Sequence, residues 1–562
     1  MAATTDELSR LDLFEGCPAE ELALVAAAVT GTRRLAEGDV ICREDEIADR
    51  WWIVGDGQAD ATYHGLYIAS IGPGETIGET ALLDGQPRTA TVTARTDMLV
   101  HEVDGDGFLS ALTETPNLAL SLLRQFANRL RAANLRPLPS TRPLSAAPAA
   151  PASGVRRPAV APTQLDPYEA GYFDDPYSYL TALREASPVH WSDALNSFVV
   201  TRYEDVHRMI RIRTMLGSVA TQDPIATLTG QPSEAAKRRR MDKSMIRRDG
   251  DDHLRLRRLV SKVFTPKAIS AWKSTADEIV ERLLDEAQER GKIDVITDFA
   301  MSVPVEIISR MLGLPAGDVT QLRAWSHALA RGIDPGLSPE EDDAVTQAGR
   351  AMFAYLEDVI AYKKDHPGDD ILTHLIEAEA EGDRLQTDEI QAQVILLYIA
   401  GHETTANLIG NTLTHLLESR DQFELLRRDP SLDANAVEEA LRFDSPAQFT
   451  RRVNREPVEI EGTVIPVGSL ITLALGSANR DPRKWGATAG VLDLARPGAN
   501  EHVSFGAGSH FCLGNALARL EAQAALPKLV RRFPRMEPAY SVPSWMHRMT
   551  LRGVDTLPVV LN

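Results

Sequence analysis

Cys512 lies within Phe505-Gly506-Ala507-Gly508-Ser509-His510-Phe511-Cys512-Leu513-Gly514, and a helix-forming run, Asn515 to Glu521, follows directly. A thiol just ahead of a helix faces free backbone N–H groups and the positive helix end, which predicts a lowered pKa and thiolate character. Gly506, Gly508 and Gly514 remove side chains where a large flat group could press on the backbone. Three further groupings have the residue types and spacing for chemistry. Glu403 and Thr404 set an acid beside a hydroxyl in the middle of a long apolar run. The hydroxyl can bond back to a backbone carbonyl or leave it, and the acid can relay protons. His253 and Arg257 are four apart, so they share one helix face and offer two donors to an anionic carboxylate pair. Gly78 to Leu83 reads as one helical turn with free N–H groups at its start. There Glu79 can accept from a sugar hydroxyl, and Arg88 can donate in two-pronged fashion to phosphate oxygens.

Each grouping also has a plain structural reading. The cysteine could be buried and inert beside a turn. The pair Glu403-Thr404 could be incidental polar residues of a buried helix, a reading that suits His402 and Thr405. His253 and Arg257 could form a surface face, and Arg88 could sit on a tight hairpin. Pattern separates the alternatives. The cysteine loop matches Phe-Gly-x-Gly-x-His-x-Cys-x-Gly at every fixed position and resembles the haem-binding loop of cytochrome P450. A thiolate facing a stripped surface suits haem iron, which it pushes toward O–O cleavage. The resemblance implies that Cys512 is the axial metal ligand, that Phe505 shields the sulfur, and that His510 meets a haem propionate; Gly514 belongs to the same loop. Ala400-Gly401-His402-Glu403-Thr404-Thr405 resembles the oxygen-activating segment, implying that Thr404 hydrogen-bonds dioxygen and Glu403 helps deliver protons. His253 and Arg257 resemble the pair that binds a haem propionate. In Thr450-Arg451-Arg452-Val453, Arg452 aligns with a further propionate-binding arginine. Glu439-x-x-Arg442, with Arg496 in Asp493-Leu494-Ala495-Arg496, resembles the family's structural ion network beneath the haem loop. Asn479-Arg480-Asp481-Pro482 also fits, so the likeness covers nearly all of residues 165–562.

The first 136 residues read separately. A helical stretch from Pro18 to Val29 precedes strand-like pieces bounded by glycine: Asp39 to Cys42, Trp51 to Val54, Ala59 to Tyr63 and Tyr67 to Ile71. Ile77-Gly78-Glu79-Thr80-Ala81-Leu82, continuing to Pro87-Arg88-Thr89-Ala90, resembles the phosphate-binding cassette of cyclic nucleotide-binding domains. That likeness runs from Leu13-Phe14 to a closing amphipathic helix, roughly 118–134. It implies Glu79 on the ribose 2′-hydroxyl and Arg88 on the cyclic phosphate, with Gly78 in the same cassette; Thr89 can donate to phosphate or purine and does not separate cAMP from cGMP. Asp45 departs from the family, which has a turn glycine there.

The elements that must position these residues follow from composition. The 562-residue chain is too long for one ordinary core. Its 43% hydrophobic and 25% charged content is that of globular protein. A net charge of −20 argues against nucleic-acid and anionic-membrane binding. Three scattered cysteines are no disulfide framework and fit a reducing, cytoplasmic setting. No apolar run reaches membrane-spanning length, and the first residues show no signal core. Residues 137–164 are rich in Pro, Ala and Ser and read as a linker of at most roughly 87 Å, at ~3.1 Å per residue. Thr387 reads as the N-cap of a helix of about 33 residues, roughly 50 Å long. The expected fold is multidomain: residues 1–136 as a β-roll with flanking helices, and residues 165–562 as a mainly α P450 fold with small β-sheets. The resemblance implies haem b (iron protoporphyrin IX), O2 as co-substrate and a cyclic nucleotide as effector. It also implies a small organic substrate, a ferredoxin with its NAD(P)H-dependent reductase, and leaves room for a homodimer through the N-terminal domain. The competing readings are a thiolate-haem sensor and a peroxide-driven peroxygenase, either with a non-binding dimerisation domain. Substrate contacts are expected from residues 211–245, 313–345 and the stretch after Pro446, where no motif names the substrate.

Overall fold

Side chains of a strand alternate between faces, and Arg50–Asp56 shows what that does in the N-terminal part of the chain. Trp51 and Ile53 pack with Leu8, Leu13, Phe14 and Val25, while Trp52 and Val54 pack with Leu35, Val92 and Val100 on the other side. One strand thus closes two cores. The computed structural model describes residues 4–9, 11–14, 17–44, 46–63, 66–84, 88–105, 107, 115, 163–212, 243–334, 337–380 and 383–561. Asp45, the expected helix at 118–134, nearly all of the expected linker and most of the expected substrate-contact stretch 211–245 lie outside these. The described residues fall into two compact units, within Met1–Ala147 and within Pro148–Asn562.

After a short helix at Thr5–Leu8 and a 3-10 turn at Asp12–Phe14, the first unit carries α1 (Ala19–Ala28), β1 (Val29–Leu35), β2 (Val40–Cys42), β3 (Arg50–Asp56), β4 (Ala59–Tyr63), β5 (Leu66–Ile71), β6 (Thr76–Ile77), α2 (Glu79–Asp84), β7 (Thr91–Ala94) and β8 (Met98–Asp104). These make two four-stranded antiparallel sheets, in the orders β1-β8-β3-β6 and β2-β7-β4-β5. The β-roll reading is correct, and α2 stands directly after β6.

The second unit is mainly helical. Its framework is α3 (Tyr203–Met209), α4 (Gly250–Ser261), α5 (Lys273–Arg290), α6 (Ser302–Met311), α7 (Val319–Arg331), α8 (Pro339–Asp365), α9 (Thr387–Glu418), α10 (Asp433–Phe443) and α11 (Asn515–Arg532). The 32-residue α9 crosses the interior, touching α6, α7, α8 and α11. Its N-cap is Gln386, not Thr387: Glu389 Oε2 accepts the Gln386 N–H at 2.9 Å and completes a capping box. Ser338 and Glu341 form a similar box on α8, with Pro339 at the first helical position. A small mixed sheet orders β9 (Val189–Ser192), β10 (Ser197–Val200), β11 (Phe449–Val453) and β12 (Leu470–Ala474) as β11-β12-β10-β9. β10 and β12 run parallel although some 270 residues separate Phe198 from its partner Ile471.

Candidate active site

The cysteine loop is held from below by a buried ion network. Glu439 and Arg442 are fully buried and paired on α10 at 2.6 Å, and Arg496 Nε donates to Glu439 Oε1 at 3.1 Å. Arg442 also donates to the carbonyls of Asn479 and Ala489 at 2.8 Å each. Asn479 in turn accepts the Val503 N–H at 2.9 Å and donates to Ser504 Oγ at 2.8 Å. The three expected structural residues are therefore together, and Asn479, which no spacing had singled out in this role, links them to the loop. From there the Cys512 N–H donates to the Phe505 carbonyl at 3.0 Å and closes the turn. Gly508, at φ +70, admits the Ile210 backbone; a Cβ would lie 2.9 Å from the Ile210 oxygen. At Gly506 and Gly514 a Cβ meets nothing within 4 Å, so protein atoms leave room there. Phe505 lies under the Arg519 guanidinium, 4.5 Å from its ring centre, and Glu438 pairs with Arg519 at 2.6 Å.

One expectation changes sign. Burial pushes the Cys512 thiol up, against the Gly514 N–H, Arg257 and Arg519, which pull it down. The helix end favours thiolate, but in the fold desolvation wins.

Donors for an anion gather beside the loop. His253 is buried on α4, with its Nε2 lacking a partner among the described residues. Burial, the neighbouring His510 and Arg257 push its pKa down to about 4, so it is neutral at pH 7. The two rings stand 4.1 Å apart, and His510 Nε2 is 3.0 Å from Asp249 Oδ1. Asp249 thus occupies His510, a partner that the propionate assignment had not included. Arg452 is buried on β11 and donates to Thr450 Oγ1 at 2.9 Å and to the Arg451 carbonyl at 2.7 Å. Alternation along β11 sends Arg451 the other way, to Met549 Sδ at 3.8 Å. The orphaned imidazole nitrogen, with Arg257 and Arg452, is the chemistry that a group bearing two carboxylates requires, so the residues present fit haem.

Glu403 and Thr404 divide between different surroundings. The Thr404 hydroxyl donates to the Ala400 carbonyl at 2.8 Å. Glu403 is buried; Arg548 Nη1 donates to its Oε2 at 2.7 Å, and His327 Nδ1 is 3.0 Å from its Oε1. Burial alone would raise this carboxyl, but the His327 hydrogen bond and the Arg548 charge outweigh it and hold the pKa below the usual range. Arg548 is anchored in turn by Asp334 at 3.1 Å and the Ala330 carbonyl at 2.6 Å. His402 is a satisfied core residue, 2.6 Å from the Tyr398 carbonyl. Neither Arg548 nor His327 belongs to a motif, so no signal in the chain marked them.

In the first unit Arg88 is buried, with Nη1 donating to the Gly78 carbonyl at 3.1 Å and Nη2 to the Arg50 carbonyl at 2.6 Å. Its guanidinium lies 4.9 Å from the Trp52 ring centre. Gly78, at φ +87, leaves the space it fills: a Cβ there would fall 2.0 Å from Arg88 Nη1. Glu79 is buried at the start of α2, and Thr89 is exposed beside Arg88.

The comparisons agree with this division. The cytochrome P450 family model matches residues 343–554, and that of the cyclic nucleotide-binding domain matches residues 32–115. Cytochrome P450 107B1 of Saccharopolyspora erythraea is 37% identical over 410 residues, spanning 70% of this chain and 96% of that protein. The biotin biosynthesis cytochrome P450 of Bacillus subtilis is 36% identical over 396 residues, spanning 70% and 97%. Among solved structures, P450BioI in complex with a hexadec-9Z-enoic acid ligated acyl carrier protein has a TM-score of 0.65 at 33% identity, covering 70% of this chain and 99% of that one. The chain belongs to the cytochrome P450 family, with a cyclic nucleotide-binding domain ahead of the P450 fold. It is an oxidoreductase of the monooxygenase class, and the family implies haem and O2. Bacterial members typically take electrons from redox partners and bind small substrates. Among the described residues no helix is long and apolar enough to cross a membrane.

Proposed function

We propose that the chain inserts one oxygen atom of O2 into a small organic substrate and reduces the other to water, drawing electrons from a ferredoxin and its NAD(P)H-dependent reductase. The observation that carries this reading is the gathering of His253, Arg257 and Arg452 beside the Cys512 loop. When bound, haem supplies the activation of O2. Cys512 would hold its iron as thiolate. Charge from Arg257 and Arg519 and the Gly514 N–H favour that thiolate against the burial that opposes it. His253, Arg257 and Arg452 would bind the propionates, with His510 held in place by Asp249. Thr404 keeps its hydroxyl on the Ala400 carbonyl and can exchange that bond for one to the reacting oxygen. Glu403, ionised between Arg548 and His327, accepts a proton and passes it on. The ferrous–CO complex should show the strongly red-shifted Soret band of a thiolate haem, and Cys512→His should abolish it. A variant that kept the band would remove Cys512 from the site.

The N-terminal domain would bind a cyclic nucleotide, with Arg88 turning from the Gly78 and Arg50 carbonyls to the phosphate. Its main effect would be on association or placement of the enzyme, through tethering and effective concentration.

A further inference from the structure

Glu403 is cut off from water, with its side chain 3% exposed. Among the described residues, two side chains hydrogen-bond to its oxygens, Arg548 and His327. Arginine stays protonated in proteins and cannot pass a proton on. Imidazole changes charge between about pH 5 and 8 and carries a second nitrogen to recharge from. His327 is 64% exposed, and it lines a cavity of about 560 Å³ between the end of α7, the start of α8 and the C-terminal segment around Trp545 and His547. One ring therefore touches both the water-accessible cavity and the buried carboxylate.

We propose that His327 is the proton-entry residue for this enzyme, acting through Glu403. The inference rests on the proton-delivery role of Glu403 proposed above. Nε2 takes a proton from water in the cavity as the Nδ1–H passes to Glu403 Oε1. One N–H bond forms while another breaks, and no electrons change hands. The carboxyl, neutralised, loosens from Arg548 and gives its proton onward. A turn of the exposed ring resets the tautomer. Arg548 plays a positioning part: tied to Asp334 and the Ala330 carbonyl, it keeps Oε2 fixed so that Oε1 faces the histidine. The other charged and titratable groups around His327 are Arg323 and Arg331 on α7, Glu341 on α8, His402 on α9, Asp334, and His547 and Asp555 on the C-terminal segment. Arg331 pairs with Glu341 at 2.9 Å, and His402 is held by the Tyr398 carbonyl, so neither competes for Oε1.

The test compares wild type, His327→Gln and Glu403→Gln as full-length, haem-loaded protein. Product formed per NAD(P)H is followed from pH 6 to 8.5, beside the pH-difference infrared band of the Glu403 carboxyl, identified by its loss in Glu403→Gln. Glutamine keeps a hydrogen bond to Oε1 and cannot relay. His327→Gln should lower the product yield by roughly tenfold at the alkaline end, less than the ~10²–10⁴ of a full loss of acid–base help because water can partly bypass the ring. It should also flatten the pH profile and shift the pH response of the Glu403 band. Haem content and the substrate-induced spin shift report folding; if His327→Gln fails these, His327→Asn takes its place. If Glu403→Gln uncouples the enzyme while His327→Gln matches wild type at every pH, in yield and in band, the entry role is wrong and the role of Glu403 stands. If Glu403→Gln itself leaves yield unchanged, the proton-delivery reading fails and the entry role falls with it.

Discussion

Two sets of buried donors, one in each unit, meet their acceptors differently. Arg88 is already engaged: two backbone carbonyls take its guanidinium, and Trp52 lies alongside. Binding a phosphate there exchanges hydrogen bonds rather than adding them, so the net gain is modest. His253, by contrast, keeps a buried ring nitrogen without a partner among the described residues, and burial works against the charge on neighbouring Arg257. A ligand that supplies carboxylates gains those bonds outright and stabilises the fold that presents them. On the proposed reading, the difference teaches that a nucleotide phosphate would displace bonds that Arg88 already makes. On the same reading, haem would complete the cradle of donors at His253.

The largest expected effect probes the support beneath that cradle. Glu439→Ala would leave Arg442 and Arg496 buried without their carboxylate, a loss of about 3–5 kcal/mol for a broken buried pair. Haem content and thermal unfolding should collapse while nucleotide binding by the first unit persists; a variant that retains haem would mean the loop does not depend on the network.

Next comes Thr404→Ala, expected to bind haem and substrate normally and to spend electrons on peroxide. Loss of positioned proton transfer is typically worth ~10²–10⁴ in rate, and product per NAD(P)H measures it.

The cradle itself is tested by His253→Ala with Arg257→Ala. Hydrogen bonds to charged groups contribute about 1.5–3 kcal/mol each, so transfer of haem to a scavenging protein should quicken by at least roughly tenfold. An unchanged transfer rate would erase the contrast drawn between the two sites.

At the nucleotide site, Arg88→Ala should remove binding measured by calorimetry. Gly78→Ala should weaken it, because the added methyl collides with the guanidinium that the φ of +87 accommodates. The smallest effect is expected on turnover: saturating nucleotide should change it by less than about twofold, because coupling needs a packed element that both sites bias. A large change in turnover at constant assembly, seen by sedimentation of the same samples, would favour direct allostery over tethering.

Much of the division into two folds was legible because each motif is local. The loop from Phe505 to Gly514 and the segment from Gly78 to Arg88 are short runs whose glycines, donors and acceptors sit close together in the chain. Strand alternation made the β-roll readable, although β3 extends further at both ends than its glycine-bounded core suggested. The N-cap of α9 was misplaced by one residue because Gln386, rarely a cap, takes that position with its backbone N–H donating to the Glu389 side chain. Asp249, His327 and Arg548 were not legible at all, and Asn479 was legible only as part of a motif, not as the link to the loop. Each is an ordinary residue type at an ordinary spacing, and each acquires its partner across a long stretch of chain.

The sequence by itself determined which side chains are candidates for the proposed chemistry: a cysteine before a helix, an acid beside a threonine, and an arginine behind a glycine-led turn. Only the tertiary structure decided their electrostatic state. Burial outweighs the helix end at Cys512, and Arg548 with His327 outweighs burial at Glu403. The physical reason is that a pKa sums desolvation and the field of every nearby charge; at Glu403 those charges arrive from α7 and the C-terminal segment, and at Cys512 from Arg257 on α4 and Arg519 on α11.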